Sequence, residues 1–257
     1  MTTLARLELI SRSLDTSLTT HAKRPDVALE IKYYKENIEQ VKSIDDFLKD
    51  DRLFKFAMKA FGLGDFAYAK AFMRKVLTEG IDSPSAFANV LTDSRYREFA
   101  DAFNFKRYGE TATIFDKTRQ GTVDRYIRQS LEEVEGASND NVRLALYFQR
   151  KADSIHGPFD ILADKALTQF VFRALGLQAT TSALDIDRQS ELLSSRLNFD
   201  DFKSPDGISR LVTRFAAISE LSSSATSAAN SLLLLGSSST TGIGIDLMLA
   251  LQNTRRR

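Results

Sequence analysis

Two stretches of the sequence, residues 29–63 and 143–177, align with each other without a gap at an offset of 114 residues. Nine of the 35 aligned positions are identical, and the matches fall on an apolar face, a helix cap and a glycine stop. The identical pairs are Tyr33/Tyr147, Asp46/Asp160, Leu48/Leu162, Asp50/Asp164, Leu53/Leu167, Phe56/Phe170, Ala60/Ala174, Gly62/Gly176 and Leu63/Leu177. This pattern predicts an internal duplication and therefore a fold built from two similar halves.

Within and around the repeat, apolar residues recur at spacings of three and four, and the whole chain contains only four prolines. This is the period of helices that bury one face, so we predict an all-α helical bundle. Helix starts are predicted at Ser43, at Ser83 with Pro84 and at Ser204 with Pro205, because a serine hydroxyl can cap free N–H groups. Helix stops are predicted at Gly62 and Gly176.

The repeat also divides the chain into three parts. We predict an N-terminal amphipathic segment, a duplicated all-helical domain, and a Ser/Thr-rich stretch with a C-terminal helix, over residues 1–26, 27–220 and 221–257. Within the domain, the two halves cover about residues 27–117 and 123–220. Two halves with helical spacing pack most simply about a pseudo-twofold axis, so we expect them to share one core.

Both ends carry apolar stripes outside the duplicated domain. Leu4, Leu7, Leu14 and Leu18 form one stripe, and Ile245, Met248, Leu249 and Leu251 form the other. Between the domain and the second stripe, residues 222–241 contain eleven Ser or Thr and no charged residue, which is typical of a flexible tether. We expect free ends that await a partner, so that removal of residues 1–20 or 242–257 leaves the domain folded. The alternative, in which both ends dock on the domain, stays open.

Composition excludes several classes of protein. The absence of cysteine excludes a disulfide framework, a zinc ribbon, an iron–sulfur cluster and a thiol nucleophile. The longest aliphatic run, residues 232–235, is too short for a transmembrane segment, and the charged N-terminus does not resemble a cleavable secretory signal. With 35 basic and 34 acidic side chains, the chain has no general attraction for nucleic acid.

Few residues are candidates for chemistry. His21 and His156 are predicted to be surface side chains, since neither has an evident nucleophile or carboxylate beside it. The carboxylates Asp45, Asp46, Asp50 and Asp51 could form a cation site, but Asp50 and its repeat counterpart Asp164 precede apolar helices and are better interpreted as helix caps. We therefore predict no catalytic, metal-binding or cofactor-binding residue, no cofactor and no small-molecule substrate.

Four separate segments, residues 33–63, 91–105, 142–177 and 209–215, resemble in order a bacterial family known only as a domain of unknown function. Members of that family are often encoded among flagellar genes, and the resemblance covers about residues 27–220. It implies an all-helical protein tied to flagellar structure or assembly. It implies no reaction and supplies no catalytic residues.

Together, these observations predict a non-enzymatic structural or assembly protein of the bacterial flagellum. Its partners would be other flagellar proteins or itself, through contacts between helices. Two alternatives stay open. One is a cytoplasmic chaperone or regulator of flagellar export, and the more remote one is a small helical metal-dependent enzyme that uses the Asp45, Asp46, Asp50, Asp51 cluster.

Overall fold

The computed structural model describes the backbone of residues 2–238 and the side chains of residues 2–178 and 180–222. All regular secondary structure in that part of the chain is helical, which confirms the all-α prediction. The α-helices are α1 (Thr3–Arg12), α2 (Leu14–Ala22), α3 (Pro25–Asn37), α4 (Ile44–Lys49), α5 (Asp51–Ala60), α6 (Lys70–Glu79), α7 (Phe87–Val90), α8 (Ser94–Ala102), α9 (Phe105–Tyr108), α10 (Gln120–Ser138), α11 (Asp140–Lys151), α12 (Pro158–Leu162), α13 (Lys165–Ala174), α14 (Ile186–Arg196) and α15 (Pro205–Ser238). Short 3₁₀ helices span Ile38–Gln40, Gly64–Phe66, Gly109–Thr111, Ala152–Ser154, Ala179–Ala183 and Phe199–Lys203. No helix among the described residues is long and apolar enough to cross a bilayer.

The two aligned stretches contain the same elements in the same order. Helices α3, α4 and α5 correspond to α11, α12 and α13, and α5 and α13 begin and end 114 residues apart. The 3₁₀ turns Ile38–Gln40 and Ala152–Ser154 keep the same offset. Common descent of the two halves stays a prediction.

Local hydrogen bonds repeat along with the elements. Asp50 Oδ1 accepts from the N–H groups of Arg52 and Leu53 at 3.1 and 3.0 Å, and Asp164 Oδ1 caps α13 in the same way. Gly62 and Gly176 follow the two helices with φ of +70° and +67°, a conformation that favours glycine because it has no Cβ. The predicted caps and stops at these four residues are confirmed.

The aromatic cores of the two halves also correspond. Phe56 of α5 stacks between Tyr34 and Tyr126, with ring centroids 4.3 and 3.8 Å away. Its counterpart Phe170 stacks between Phe148 and Phe215, at 4.1 and 4.4 Å. Because Tyr126 belongs to α10 and Phe215 to α15, these two helices occupy equivalent places, and each closes one half.

The prediction of a single shared core is wrong. The buried apolar side chains form two clusters, one drawn from residues 27–126 and the other from Leu7, Ile10 and residues 142–215. Each half has its own aromatic stack and buries its apolar face internally. The contact between the halves includes ion pairs and hydrogen bonds of side chains along α10.

The halves differ in the connection that leads to the closing helix, which runs from α6 to α10 in the first half and from α14 to α15 in the second. In the first half, residues 80–119 separate α6 from α10 and contain α7, α8 and α9. In the second half, only residues 197–204, with the 3₁₀ helix Phe199–Lys203, separate α14 from α15. The second half therefore has no counterpart of α8 among its described elements.

Two of the three predicted helix starts are confirmed. Ser43 Oγ accepts from Asp46 N at 3.1 Å at the start of α4, and Ser204 Oγ accepts from Gly207 N at 3.0 Å at the start of α15. The start at Ser83 is wrong because the Ser83 hydroxyl accepts from Ser85 N within a turn, and α7 begins later, at Phe87. The carboxylate of Glu79 accepts from Phe87 N at 2.7 Å and takes the role predicted for the serine.

The N-terminal segment is docked, so the expectation of a free end is wrong there. Leu7 is only 2% exposed and packs with Ile10 into the second cluster. Polar contacts reinforce the docking: Arg6 pairs with Glu135 of α10 at 2.5 Å, and Thr3 N donates to Glu220 of α15 at 2.5 Å. The leucine stripe contributes only in part, since Leu4, Leu14 and Leu18 are half-buried.

The C-terminal tether is also wrong over most of its length. Helix α15 continues through Ser238, so residues 222–238 extend the closing helix and do not form a flexible connection. A run of Ser and Ala interspersed with Leu is compatible with a helix that begins at a well-capped start. The second apolar stripe, Ile245, Met248, Leu249 and Leu251, lies outside the described residues.

Candidate functional site

The acidic cluster does not converge on one point, because each carboxylate has its own structural partner. Asp45 pairs with Arg74 at 2.5 Å, and Asp51 pairs with Lys70. Asp50 caps α5 and accepts from the Tyr33 hydroxyl at 2.8 Å. Among the described residues, no group of three or more His, Asp or Glu is placed to hold a metal ion.

Local hydrogen bonds keep two of these carboxylates ionised. The Ser43 hydroxyl and the backbone N–H of Lys42 lower the pKa of Asp46 from its ordinary value. The Lys70 ammonium lowers the pKa of Asp51 in the same direction. Both carboxylates therefore behave as acceptors in caps and ion pairs, whereas a general acid requires a raised pKa.

The histidines differ from each other. His156 is exposed, as predicted, but His21 is only 5% exposed, so the prediction of a surface side chain is wrong for it. His21 Nε2 lies 3.0 Å from Ser130 Oγ and links α2 to α10. Burial lowers the pKa of His21, and the nearby cations Arg24 and Lys59 lower it further.

His21 and Ser130 have the atoms of a nucleophile–base pair, but the contact lacks the N–H groups of an oxyanion hole. Ser130 lies in the middle of α10, where backbone N–H groups are used within the helix and cannot form an oxyanion hole. We interpret the pair as a buried hydrogen bond that fixes α2. Sequence reasoning missed it because its partners are 109 positions apart and no local pattern joins them.

A buried carboxylate on α10 organises the contact between the halves. Glu132, 1% exposed, accepts from Arg128 at 2.9 Å and from Arg150 of α11 at 2.9 and 2.8 Å. Arg150 also donates to Gln129 at 3.0 Å. Burial works against the charge of Arg150, but Glu132 outweighs it and raises the pKa of the guanidinium above its ordinary value. The next residue of α10, Glu133, pairs with Lys59 of the first half at 2.8 Å.

Beside this network lies a polar cleft of about 610 Å³ between the halves. Arg95 enters it from the first half, where it pairs with Asp93 and donates to the carbonyl of Gly62 at 2.5 Å. Tyr147 enters from the second half and donates to Asp164 at 2.5 Å, while burial raises the pKa of its hydroxyl. These groups pair with neighbours within their own half, so the cleft has the chemistry of a structural seam.

A large groove with a mixed apolar and polar lining lies on the second half, and we call it the α13 groove. Its volume is about 1070 Å³, and it lies between α12, α13, α14 and α15. Its apolar lining comprises Leu162, Phe172, Leu177, Leu184, Ile186 and Ile218, and its polar lining includes Lys165, Gln169, Arg173, Gln178 and Gln189. Leu184 and Ile186 stand on its rim at 50% and 55% exposure. A trough between helices that combines apolar and polar lining residues suits an amphipathic helix, which can present both kinds of side chain.

The first half has no such groove, because other helices fill the corresponding place. The counterparts of Thr168 and Phe172 are Phe54 and Met58, which are fully buried. Helix α8 covers the end of α5 there: Phe99 packs on Phe61 with ring centroids 5.3 Å apart. The α13 groove therefore lies where the first half receives a helix and the second half has none of its own. The unequal lengths of the two connections were the sequence signal that could have revealed it.

Comparison with solved structures gives one clear relative. The chain is 44% identical to a protein from Agrobacterium tumefaciens whose X-ray crystal structure was determined as a structural-genomics target. The two structures align with a TM-score of 0.80, over 86% of this chain and 94% of that one. The fold described above is therefore similar to one determined by X-ray crystallography. Among curated proteins, none is significantly similar to this chain.

A family model also matches this chain. Residues 60–208, more than half of the chain, match the family described as a protein of unknown function, DUF1217. The matched range includes α10, the polar cleft and most of the α13 groove. By this match, the chain is a member of the DUF1217 family.

Proposed function

We propose that this chain is a non-enzymatic structural or assembly protein of the bacterial flagellum that works through helix-mediated contacts. The flagellar context rests on the resemblance of residues 33–63, 91–105, 142–177 and 209–215 to a family often encoded among flagellar genes. The observation that carries the mode of action is the α13 groove, a trough between helices with a mixed apolar and polar lining and the exposed apolar rim residues Leu184 and Ile186.

The contacts of the polar side chains support a structural role. Asp50 and Asp164 cap helices, Glu132 joins α10 to α11, and His21 bonds to Ser130 across a buried helix contact. Each of these groups could in principle serve in catalysis, and each has a partner that gives it a task in the fold.

The decisive experiment locates the protein in cells. We expect a deletion strain to have impaired motility. When the strain is complemented with a tagged copy, we expect to recover the tagged protein in purified basal bodies or filaments. Recovery only in the cytoplasm, together with a defect in subunit export, would favour the alternative of a cytoplasmic chaperone or export regulator. Normal filaments, motility and export in the deletion strain would overturn both.

Two matched variants connect this experiment to the groove. Ile186→Asp places a carboxylate on the groove rim at the first position of α14, where a negative charge is compatible with the helix. Leu29→Asp makes the same kind of change on α3, at a side chain of similar exposure, 58%, outside the groove. We expect only Ile186→Asp to fail in complementation.

A further inference from the structure

The repeat identifies what kind of ligand the α13 groove receives. In the first half, the corresponding surface is covered by α8, whose Tyr96, Phe99 and following Phe103 lie on one face at spacings of three and four. Arg95 fixes the helix by donating to the carbonyl of Gly62, the residue equivalent to Gly176 in the groove. The first half thus displays the mode of binding: a short helix with an apolar stripe lies across the end of the repeat helix.

A second apolar stripe of the chain lies outside the described residues. Ile245, Met248, Leu249 and Leu251 have the spacing that places apolar side chains on one face if the segment is helical. The N-terminal stripe, by contrast, is already docked through Leu7. In sequence, the C-terminal stripe spans seven residues, close to the eight residues from Tyr96 to Phe103 that carry the α8 stripe.

The path of α15 favours another molecule as the receiver of this stripe. The groove touches α15 at Ile218 and Ser222, and the helix continues to Ser238. At about 1.5 Å per residue, α15 carries the chain about 24 Å beyond Ser222. Residues 239–244 can span at most about 20 to 22 Å in full extension, which is less than the distance back to Ser222.

We infer that the α13 groove binds the C-terminal segment, residues 243–251, of a second copy of this chain. The inference rests on the proposed function, for which it names the partner. Because the groove and the segment are different surfaces, the contact is heterologous: each copy offers one groove and one segment, and copies join head to tail. Such a contact can be extended from copy to copy, as an assembly subunit requires.

The test uses purified full-length variants in sedimentation velocity experiments over a range of concentrations. The groove variant is Ile186→Asp, the segment variant combines Ile245→Asp with Leu249→Asp, and Leu29→Asp is the matched control. We expect the unchanged protein and the control to associate with rising concentration. Each of the two test variants should bind its own kind about tenfold or more weakly, since a charge replaces a buried apolar contact.

Mixing the two test variants gives the sharpest result. The groove variant retains a working segment and the segment variant retains a working groove, so an equimolar mixture should form one-to-one dimers that neither variant forms alone. The inference is overturned if the mixture stays monomeric or if the unchanged protein is monomeric at all concentrations. In that case, the segment binds the groove of its own chain or the groove binds another protein. Circular-dichroism spectra of each variant check that the fold is intact.

These outcomes are separate from those of the proposed function. Self-association is measured with purified protein, whereas flagellar location is measured by fractionation of cells. A protein that assembles in vitro but stays out of basal bodies would keep this inference and lose the proposed function. If the protein is found in basal bodies but its groove and segment variants assemble normally, the proposed function is kept and this inference is lost.

Discussion

The segments that carry the repeat have the same internal structure and different surroundings. In the first half, Tyr33 donates to Asp50 near solvent, with the guanidinium of Arg52 over its ring at 4.1 Å. In the second half, Tyr147 donates to Asp164 beside the polar cleft, with Arg150 over its ring at 5.0 Å. The pair fixes the same helix start in both cases. What differs is burial, since Tyr147 is only 8% exposed and its neighbours join the halves.

A second difference concerns what covers α5 and α13. The first half completes its core with α8, whereas the second half leaves the equivalent place open as the α13 groove. A repeated sequence thus produces repeated caps, stops and stacks, and the insertions between them decide which surfaces stay available. This difference leaves a groove beside α13, whereas the corresponding side chains of α5 are buried.

The largest expected effect comes from breaking one aromatic stack. Phe170→Ala removes a fully buried ring that contacts both Phe148 and Phe215, and we expect a loss of about 3 to 5 kcal/mol in the free energy of unfolding. Phe56→Ala is the matched change in the first half, with a similar expected loss. Urea denaturation measures both.

Hydrogen exchange shows whether the two cores are as separate as their contacts indicate. Phe170→Ala should accelerate exchange in α11, α13 and α15 more than in α3 and α5, because the two clusters are built from different residues. Phe56→Ala should do the opposite. Equal acceleration in both halves for both variants would contradict the separation and restore a single cooperative core.

The next effect comes from the seam. Arg150→Met removes one of the two cations that neutralise the buried Glu132. Breaking a buried pair costs about 3 to 5 kcal/mol, and we expect the lower end because Arg128 remains. Adding Glu132→Gln to Arg150→Met should recover most of the loss. Arg52→Met, which breaks a half-exposed pair with Glu30, is the control and should cost at most about 1 kcal/mol. Equal losses for Arg150→Met and Arg52→Met would show that burial of the seam has no energetic weight.

A smaller effect separates the two copies of the helix cap. Asp50→Ala removes the acceptor of two N–H groups, which costs about 0.5 to 2 kcal/mol. Asp164→Ala should cost more, by about 1 kcal/mol or somewhat above, because it also leaves the buried Tyr147 hydroxyl without its acceptor. Thermal melts of both variants measure the difference. The corresponding Asn variants keep an acceptor oxygen and should lose much less, and equal losses for the two Ala variants would contradict the role of burial.

These cases also delimit what the sequence can predict. Asp50, Gly62 and their counterparts act on groups within a few positions, so their roles follow from local chemistry. The docking of Leu7, the separation of the cores and the burial of His21 depend on partners more than 100 positions away, such as Ser130 and Glu135. Ser83 fails as a cap because Glu79 competes for the same helix start. The α13 groove depends on which helix covers α5, and the unequal lengths of the two connections are an indirect signal of it.

The smallest expected effect is the pH dependence of the free energy of unfolding that comes from His21, whose contact with Ser130 joins α2 to α10. Burial, together with Arg24 and Lys59, lowers the pKa of His21 below its ordinary value of about 6.5, whereas Asp26 and Glu135 oppose the shift. The unfolded chain therefore takes up the His21 proton at a higher pH than the folded protein does. The contribution of neutral His21 to stability is fully present above about pH 6.5 and is lost progressively as the pH falls toward the lowered pKa of the folded state.

We expect the free energy of unfolding to decrease between pH 7.5 and 5.5, and His21→Gln, which can still bond to Ser130, to flatten that decrease. His156→Gln is the matched control, because His156 is exposed and should leave the slope unchanged. Urea titrations at several pH values measure the three slopes. A slope that is the same for His21→Gln and the unchanged protein would mean that the contact between α2 and α10 does not depend on the charge of His21, and the N-terminal segment would then be held by Leu7 and the pair between Arg6 and Glu135 alone.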